Sequence, residues 1–438
     1  MSAVDVGLLS ILAVLVLVYA GVHIGVALGV SSFVCIWLVR EDIGIAGKML
    51  SLAAGESMAQ YDFGVAPLFV LMGLLISISD MGKDIYEVSN QLFRRIRGGL
   101  GVATVAANAI FSAVTGTSVA AAAVFSKIAV PEMLKYGYNP KFAVGVVAGS
   151  TVLGMLIPPS LLFVLYGIIT ETSIGELLIA GIVPGVLLSA GYCFVIWFMA
   201  TRMPGSVIIR EVSRDEVGEK LMGAGEMWAK AGPITILILL VLGGLYGGIF
   251  TATECAGVGA GGALIITILK RKLTLHNLWR ILIESGHITA AISFLIISAH
   301  LYARMISITG IPNALEGWVT HLGIGFAGLL TLYILLVLFL GTLLDSASTT
   351  LIAVPILVPL LSQMGADPIW LGVLTIIAVE IGLLTPPLGI TVFVIHSTLR
   401  DPNITVDDIF RGAVPFLLAT TTFLVIVALV PDIALVLN

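Results

Sequence analysis

The chain has 438 residues, 59% of them hydrophobic and 11% charged, with a mean hydropathy of +1.13 and a formal net charge of −5. A soluble domain keeps roughly a quarter of its residues charged, so an ordinary water-soluble globule is excluded. The small net charge does not report orientation, which follows the placement of Lys and Arg.

Apolar blocks long enough to cross a bilayer must be helices or parts of a closed barrel, because lipid cannot satisfy bare backbone groups. Their continuous apolarity, without period-2 alternation, excludes the barrel. The first block, Val6 to Leu38, holds two short spans, 6–20 and 22–38. Asp5 precedes it and no basic residue does, so it reads as a retained span and not as a cleavable signal. A third span, 64–80, leads into Ile85, Val88, Leu92 and Ile96, which with Arg94, Arg95 and Arg97 form an amphipathic helix suited to the headgroup plane.

The next apolar stretch, 102–135, is interrupted near its middle by Ala113-Val114-Thr115-Gly116-Thr117-Ser118. A full crossing would set these polar groups against lipid at mid-bilayer, whereas a re-entrant hairpin buries them in protein. The span 141–172 is broken at Pro158 and Pro159, because proline lacks an N–H and its ring clashes with the preceding turn. A last span, 177–200, closes this half.

A charged linker, 204–231, includes Arg210, Glu211, Arg214, Asp215, Glu216, Glu219 and Lys220 and is read as cytoplasmic. The series then repeats. Spans at 233–250 and 253–269 precede an interfacial stretch (Leu275, Leu278, Trp279 and Leu282 near Arg280) and a span at 286–303. A second hairpin, 326–362, has Gly341-Thr342-Leu343-Leu344-Asp345-Ser346 at its tip. A span broken at Pro386 and Pro387, 369–398, and a final span, 412–430, complete the chain. At an offset of 228 residues, Pro131, Pro140, Pro158 and Pro159 fall on Pro359, Pro368, Pro386 and Pro387, while Gly137, Asn139 and Gly154 fall on Gly365, Asp367 and Gly382. Self-similarity of this kind marks a repeat.

With hairpins that do not cross, each half crosses five times, and an odd number turns the second half upside down. All but Arg40, Lys48 and Arg304 of the 21 Lys and Arg then lie on one side, the cytoplasmic one, and both termini are periplasmic. The expected fold is an all-α polytopic membrane protein. It has two inverted-topology repeats of five spans each, 1–203 and 232–438, with two re-entrant helical hairpins and two Pro-Pro broken helices.

Inverted repeats with discontinuous helices characterise secondary transporters, whose sites lie where the repeats meet. Half-helix N-termini favour an anion there, and unwound carbonyls coordinate Na⁺. The candidate substrate and ion region is therefore Thr115, Gly116, Thr117, Ser118, Gly154, Pro158 and Pro159 in the first half. In the second it is Gly341, Asp345, Ser346, Ser348, Gly382, Thr385, Pro386 and Pro387. Ser118, Asp345, Ser346 and Thr385 are the candidate Na⁺ ligands. An isolated Ser or Thr in an apolar helix usually bonds back to a carbonyl one turn earlier; clustering at Gly-containing tips is what favours the ion-site reading. Asp345 is favoured as part of the tip or ion site over a helix cap, and Glu380, deep in its span, reads as an ion group or a paired structural one. Arg304 reads as a partner of the second hairpin or as an interface anchor. His287, His300 and His396 show no relay spacing and read as packed or surface residues. Cys35, Cys193 and Cys255 have no Cys or His at zinc or disulfide spacing. Gly257-Val258-Gly259-Ala260-Gly261-Gly262 follows no strand and reads as close helix packing.

Several stretches resemble the large, DctM-like membrane subunit of tripartite ATP-independent periplasmic (TRAP) transporters: Gly116-Thr117-Ser118 through Pro131, Gly154-Met155-Leu156-Ile157-Pro158-Pro159-Ser160, Ala180-Gly181-Ile182-Val183-Pro184-Gly185, Gly341 through Pro359, and Thr385-Pro386-Pro387-Leu388-Gly389. The resemblance covers nearly the whole chain. It departs at Ala252-Thr253-Glu254-Cys255, where the family more often has Pro-Thr-Glu-Ala. It implies a permease subunit in the bacterial or archaeal cytoplasmic membrane. That subunit imports a small organic anion with Na⁺ as coupling ion and no organic cofactor, by elevator-like motion of a hairpin core. The implied partners are a small four-helix membrane subunit, a periplasmic solute-binding protein and the lipid bilayer, with no nucleic acid. The rival expectation is a self-sufficient Na⁺/dicarboxylate symporter or antiporter of the same plan. No HExxH, GxSxG or paired acidic metal motif suggests an intramembrane enzyme.

Overall fold

The computed structural model describes residues 2–210, 212 and 221–438, and its regular structure is helical. Of the linker residues named above, Glu211, Arg214, Asp215, Glu216, Glu219 and Lys220 lie outside the described residues. The first half contains α1 (Ala3–Tyr19), α2 (Ile24–Arg40), α3 (Ile43–Ala59), α4 (Val65–Ile78), α5 (Met81–Phe93), α6 (Gly99–Thr115) and α7 (Ser118–Lys135). It continues through α8 (Pro140–Ser150), α9 (Leu153–Leu156), α10 (Leu161–Thr170), α11 (Ile174–Ala180), α12 (Ile182–Arg202) and α13 (Pro204–Val207). The second half contains α14 (Ala224–Tyr246), α15 (Ala252–Leu269), α16 (Leu275–Thr309), α17 (Ile311–His321) and α18 (Phe326–Leu343). After these come α19 (Ser346–Gln363), α20 (Pro368–Leu384), α21 (Ile390–Leu399), α22 (Val406–Leu429) and α23 (Asp432–Leu435).

Among the described residues, seven helices are long and apolar enough to cross a membrane, or up to nine if each of two bent pairs is one span. The helix register follows the 228-residue offset closely. Ile24 and Ala252 begin α2 and α15; Ser118 and Ser346 begin α7 and α19; Pro140 and Pro368 begin α8 and α20. The last pair shows why such starts recur. Proline is tolerated at a first helical position because its missing N–H would have no partner there. The preceding Asn139 and Asp367 cap the two helices by accepting from Lys141 N and Ile369 N, at 3.0 and 2.7 Å.

The halves differ where local chemistry differs. The interfacial stretch around Trp279 and the span expected at 286–303 form one continuous 35-residue helix, α16. In the first half the corresponding segment is interrupted between α3 and α4 by a 3₁₀ turn, Tyr61–Gly64. Pro67, in the first turn of α4, bars the helix from continuing backwards; its counterpart at 295 is Leu. Helix α14 begins at Ala224, within the stretch 204–231 expected as linker. The amphipathic helix expected after the third span is α5, bent 67° from α4.

The halves are interleaved. The paired helices α2 and α15 lie along the opposite half's α16 and α4, while α10 packs on α19 and α21 packs on α7. Each segment that follows a Pro-Pro break thus rests on the second arm of the other half's helix pair.

Candidate functional site

At the first tip, α6 ends on Gly116 with φ +63, a left-handed conformation that favours glycine. A Cβ there would sit 2.3 Å from the Pro159 carbonyl oxygen. The Leu161 N–H donates to the Gly116 carbonyl at 3.3 Å. The tip is therefore clamped onto the first break, whose Pro158 and Pro159 are buried. Gly154 supplies the third side of the clamp: a Cβ on it would lie 2.8 Å from both N and Cα of Ser118. The hydroxyl of Thr115 donates back to Phe111 O at 3.1 Å, and Thr117 precedes α7 without a side-chain cap hydrogen bond.

Ser118 is completely buried, and its hydroxyl donates to Glu380 Oε1 of α20 at 2.8 Å. This bond joins the first tip to the second half. Glu380 is 1% exposed, and its Oε2 has no hydrogen-bond partner among the described residues. Sequence reasoning singled out both residues without pairing them. Asn108 was missed: it donates to Ser150 at 2.8 Å and ties α6 to α8 just behind the tip.

The second tip is built differently. Gly341 and Gly382 bring α18 and α20 into backbone contact, so a Cβ on Gly382 would lie 2.6 Å from Gly341 Cα. Asp345 caps α19, accepting from Ala347 N at 3.1 Å and Ser348 N at 3.3 Å, and the Ser348 hydroxyl also donates to it. Asp345 is exposed, whereas Ser346 and Ser348 are buried. Thr385 donates back to Ile381 O at 2.7 Å. Pro386, Pro387 and Leu388 are exposed. A crevice of 560 Å³ runs between this region and α1, lined by Val16, Tyr19, Leu343, Leu344 and Leu388 among others. The structure thus groups the predicted residues within each tip, and the hydrogen bonds of Asp345 stay within its own tip.

Arg304 pairs with Glu56 of α3, which accounts for it as an anchor between α3 and α16. One turn earlier on the same face, His300 shares a 2.6 Å hydrogen bond with Ser57. Helix α5 carries an acidic edge. Asp80 pairs with Lys272, Asp84 with Lys270, and Glu87 with Lys230 at 2.6 Å. Gln91 adds hydrogen bonds in both directions with the Met222 backbone at 2.7 Å. The opposite edge of α5 packs on α6 through Met81, Ile85 and Tyr86.

A family model described as the DctM component of the tripartite ATP-independent periplasmic transporter matches residues 11–433. The chain is 33% identical over 415 residues to the C4-dicarboxylate TRAP transporter large permease protein DctM of Pseudomonas aeruginosa, covering 94% of this chain and 93% of that one. It is 30% identical over 430 residues to the sialic acid TRAP transporter large permease protein SiaM of Vibrio cholerae, covering 98% and 97%. Among solved structures, the Alcanivorax borkumensis YdaH transporter superposes with a TM-score of 0.59 at 15% identity, over 84% of this chain and 85% of that one. Neisseria gonorrhoeae MtrF gives 0.58 at 13%, over 89% and 85%. These two likenesses speak to the fold alone.

Proposed function

The chain belongs to the DctM component family of TRAP transporters and is a multi-pass large permease subunit rather than an enzyme; from this premise we propose that it imports a small organic anion by Na⁺ symport. The anion is a carboxylate or sugar acid, delivered by a periplasmic binding protein, and a small four-helix membrane subunit completes the complex. Relatives named for C4-dicarboxylates, 2,3-diketo-L-gulonate and sialic acid support that substrate class.

The observation that carries this reading is the first tip, where Gly116, Gly154, Pro159 and Ser118 converge with Glu380 in the interior. The matching helix register supports inverted repeats at 1–203 and 232–438, with α6–α7 and α18–α19 as re-entrant hairpins and both termini periplasmic. Exposed backbone at membrane depth is tolerated only where protein or a cavity surrounds it, and the first tip is enclosed in protein. The residues fit a hard cation: Ser118 and Thr117 offer oxygens at one tip, Asp345, Ser346 and Thr385 at the other, and Glu380 Oε2 is a buried oxygen lacking a donor. When bound, Na⁺ supplies positive charge that draws the anion to the site. The chain's own contribution is to orient those oxygens and to exclude water at the first tip. Helix α5, ion-paired to α14, α15 and the α15–α16 loop, is the arm between a fixed scaffold and a moving hairpin core, as an elevator-type cycle requires.

The test is solute uptake into proteoliposomes holding this subunit and its small partner, with and without a binding protein, under an inward Na⁺ gradient or K⁺ replacement. Uptake that requires both Na⁺ and the binding protein is expected. Na⁺-driven uptake indifferent to the binding protein would instead assign a self-sufficient symporter.

A further inference from the structure

We propose that Glu380 is a positioning residue for the cation site at the first hairpin tip, acting by taking the hydroxyl hydrogen of Ser118. The inference rests on the Na⁺-coupling reading above and adds a residue from the opposite half of the chain to that site.

A serine hydroxyl has one donor hydrogen and two acceptor lone pairs. In an apolar helix the default use of the hydrogen is a bond to a carbonyl one turn back, and Thr115 and Thr385 follow that default. Ser118 cannot, because it opens α7: the preceding residues, Gly116 and Thr117, form the tip and offer no helical turn behind it. Its hydrogen goes instead to Glu380 Oε1 at 2.8 Å. With the hydrogen directed at the carboxylate, the lone pairs of Ser118 Oγ are left for an electron-poor partner. A hydroxyl free to rotate would present its hydrogen to an approaching cation part of the time.

A further observation points to a ligand here. Glu380 is 1% exposed, and its Oε2 has no hydrogen-bond partner among the described residues. A buried carboxyl with one oxygen unserved calls for a proton or a cation beside it, and none of the ion pairs among the described residues involves it. Gly154 packs directly on the backbone of Thr117 and Ser118, so any side chain there would fall within 3 Å of their atoms and displace the tip. A directed hydroxyl and an unserved carboxyl oxygen therefore meet at one closely packed tip. The second half has no equivalent. The 228-residue counterparts of Ser118 and Glu380 are Ser346 and Val152, so the device belongs to the first tip alone and gives the two tips unequal cation affinity.

The experiment uses the purified complex of this chain with its small partner subunit. It measures direct ²²Na⁺ binding and, in proteoliposomes, the half-saturating Na⁺ concentration and solute KM. Removing an outer carboxylate that orients a metal ligand costs about 10–100-fold in metal affinity, so E380L should weaken ²²Na⁺ binding at least about tenfold. Solute KM at saturating Na⁺ should stay put. E380Q keeps an acceptor oxygen for Ser118 and should remain within about threefold of the wild type, because orientation is retained. The double variant E380L/S118A should bind Na⁺ no more weakly than S118A alone, since both changes remove one coupled unit. Unchanged ²²Na⁺ affinity in E380L would overturn the inference, as would E380Q failing as badly as E380L, or losses that multiply in the double variant. Should E380L not assemble, E380Q and S118A decide the matter. A wild-type complex that binds no ²²Na⁺ would remove the coupling reading itself, an outcome distinct from binding that ignores Glu380.

Discussion

The two tips, between α6 and α7 and between α18 and α19, share a helix register yet are opposite in character. At the first, Gly116 is clamped to a buried Pro-Pro break and Ser118 is held from across the molecule by Glu380. At the second, Asp345 caps its own helix, and the break at Pro386-Pro387 stays exposed beside a crevice against α1. Thr117 and Asp345 occupy equivalent positions, but only Asp345 makes cap bonds. A duplicated plan therefore does not entail duplicated chemistry. One tip is held by tertiary contacts, the other by local ones. Under the proposed topology Tyr19 lies at the cytoplasmic end of the first span, so the crevice beside the second tip opens inward.

The comparison can be broken most forcefully at Gly116. A G116V change meets both the left-handed backbone and the Pro159 carbonyl and should cost about 3 kcal/mol or more; loss of transport and a lowered Tm in detergent are expected. At the second tip, G382A forces apart α18 and α20 at Gly341 and should cost about 1–3 kcal/mol, read as a smaller Tm shift. D345A removes a local cap and should cost about 1 kcal/mol, with D345N recovering most of it. If D345A proved as damaging as G116V, the division into tertiary and local tips would be wrong. The smallest effect belongs to α5. D84A breaks a pair whose partners are each about 20% exposed, and should change Tm by less than about 1 kcal/mol equivalent. A disulfide between cysteines at positions 84 and 270 should leave uptake intact, because both positions ride on the scaffold; a block would move the hinge to the other side of α5. Burial itself is open to labelling. With a small maleimide, L388C should react readily in the folded complex while S160C, at the equivalent and fully buried position, reacts slowly, and equal rates would erase the asymmetry.

Much of the architecture is written in local chemistry. Lipid forces each apolar block into a helix, proline breaks a span wherever it stands, and Asn139 and Asp367 cap the helices that begin at Pro140 and Pro368. The helical character of the chain, both Pro-Pro breaks and the helix starts that share the 228-residue offset are legible for those reasons. Pro67 shows the limit of such reading: its absence from the second half is plain in the sequence, but the amphipathic pattern of Leu275, Leu278, Trp279 and Leu282 near Arg280 reads as a separate interfacial stretch, whereas the structure has one continuous α16. What the tertiary structure alone decided is which residues far apart in the chain meet. Ser118 and Glu380 are 262 positions apart, and the ion pairs of α5 reach across more than a hundred. Neither partner carries a local signal of the other, because a side chain's intrinsic preferences report its neighbours along the helix and not the helix laid against it. The same reason hid the unequal burial of the two breaks, whose Pro-Pro sequences are identical and whose surroundings are not.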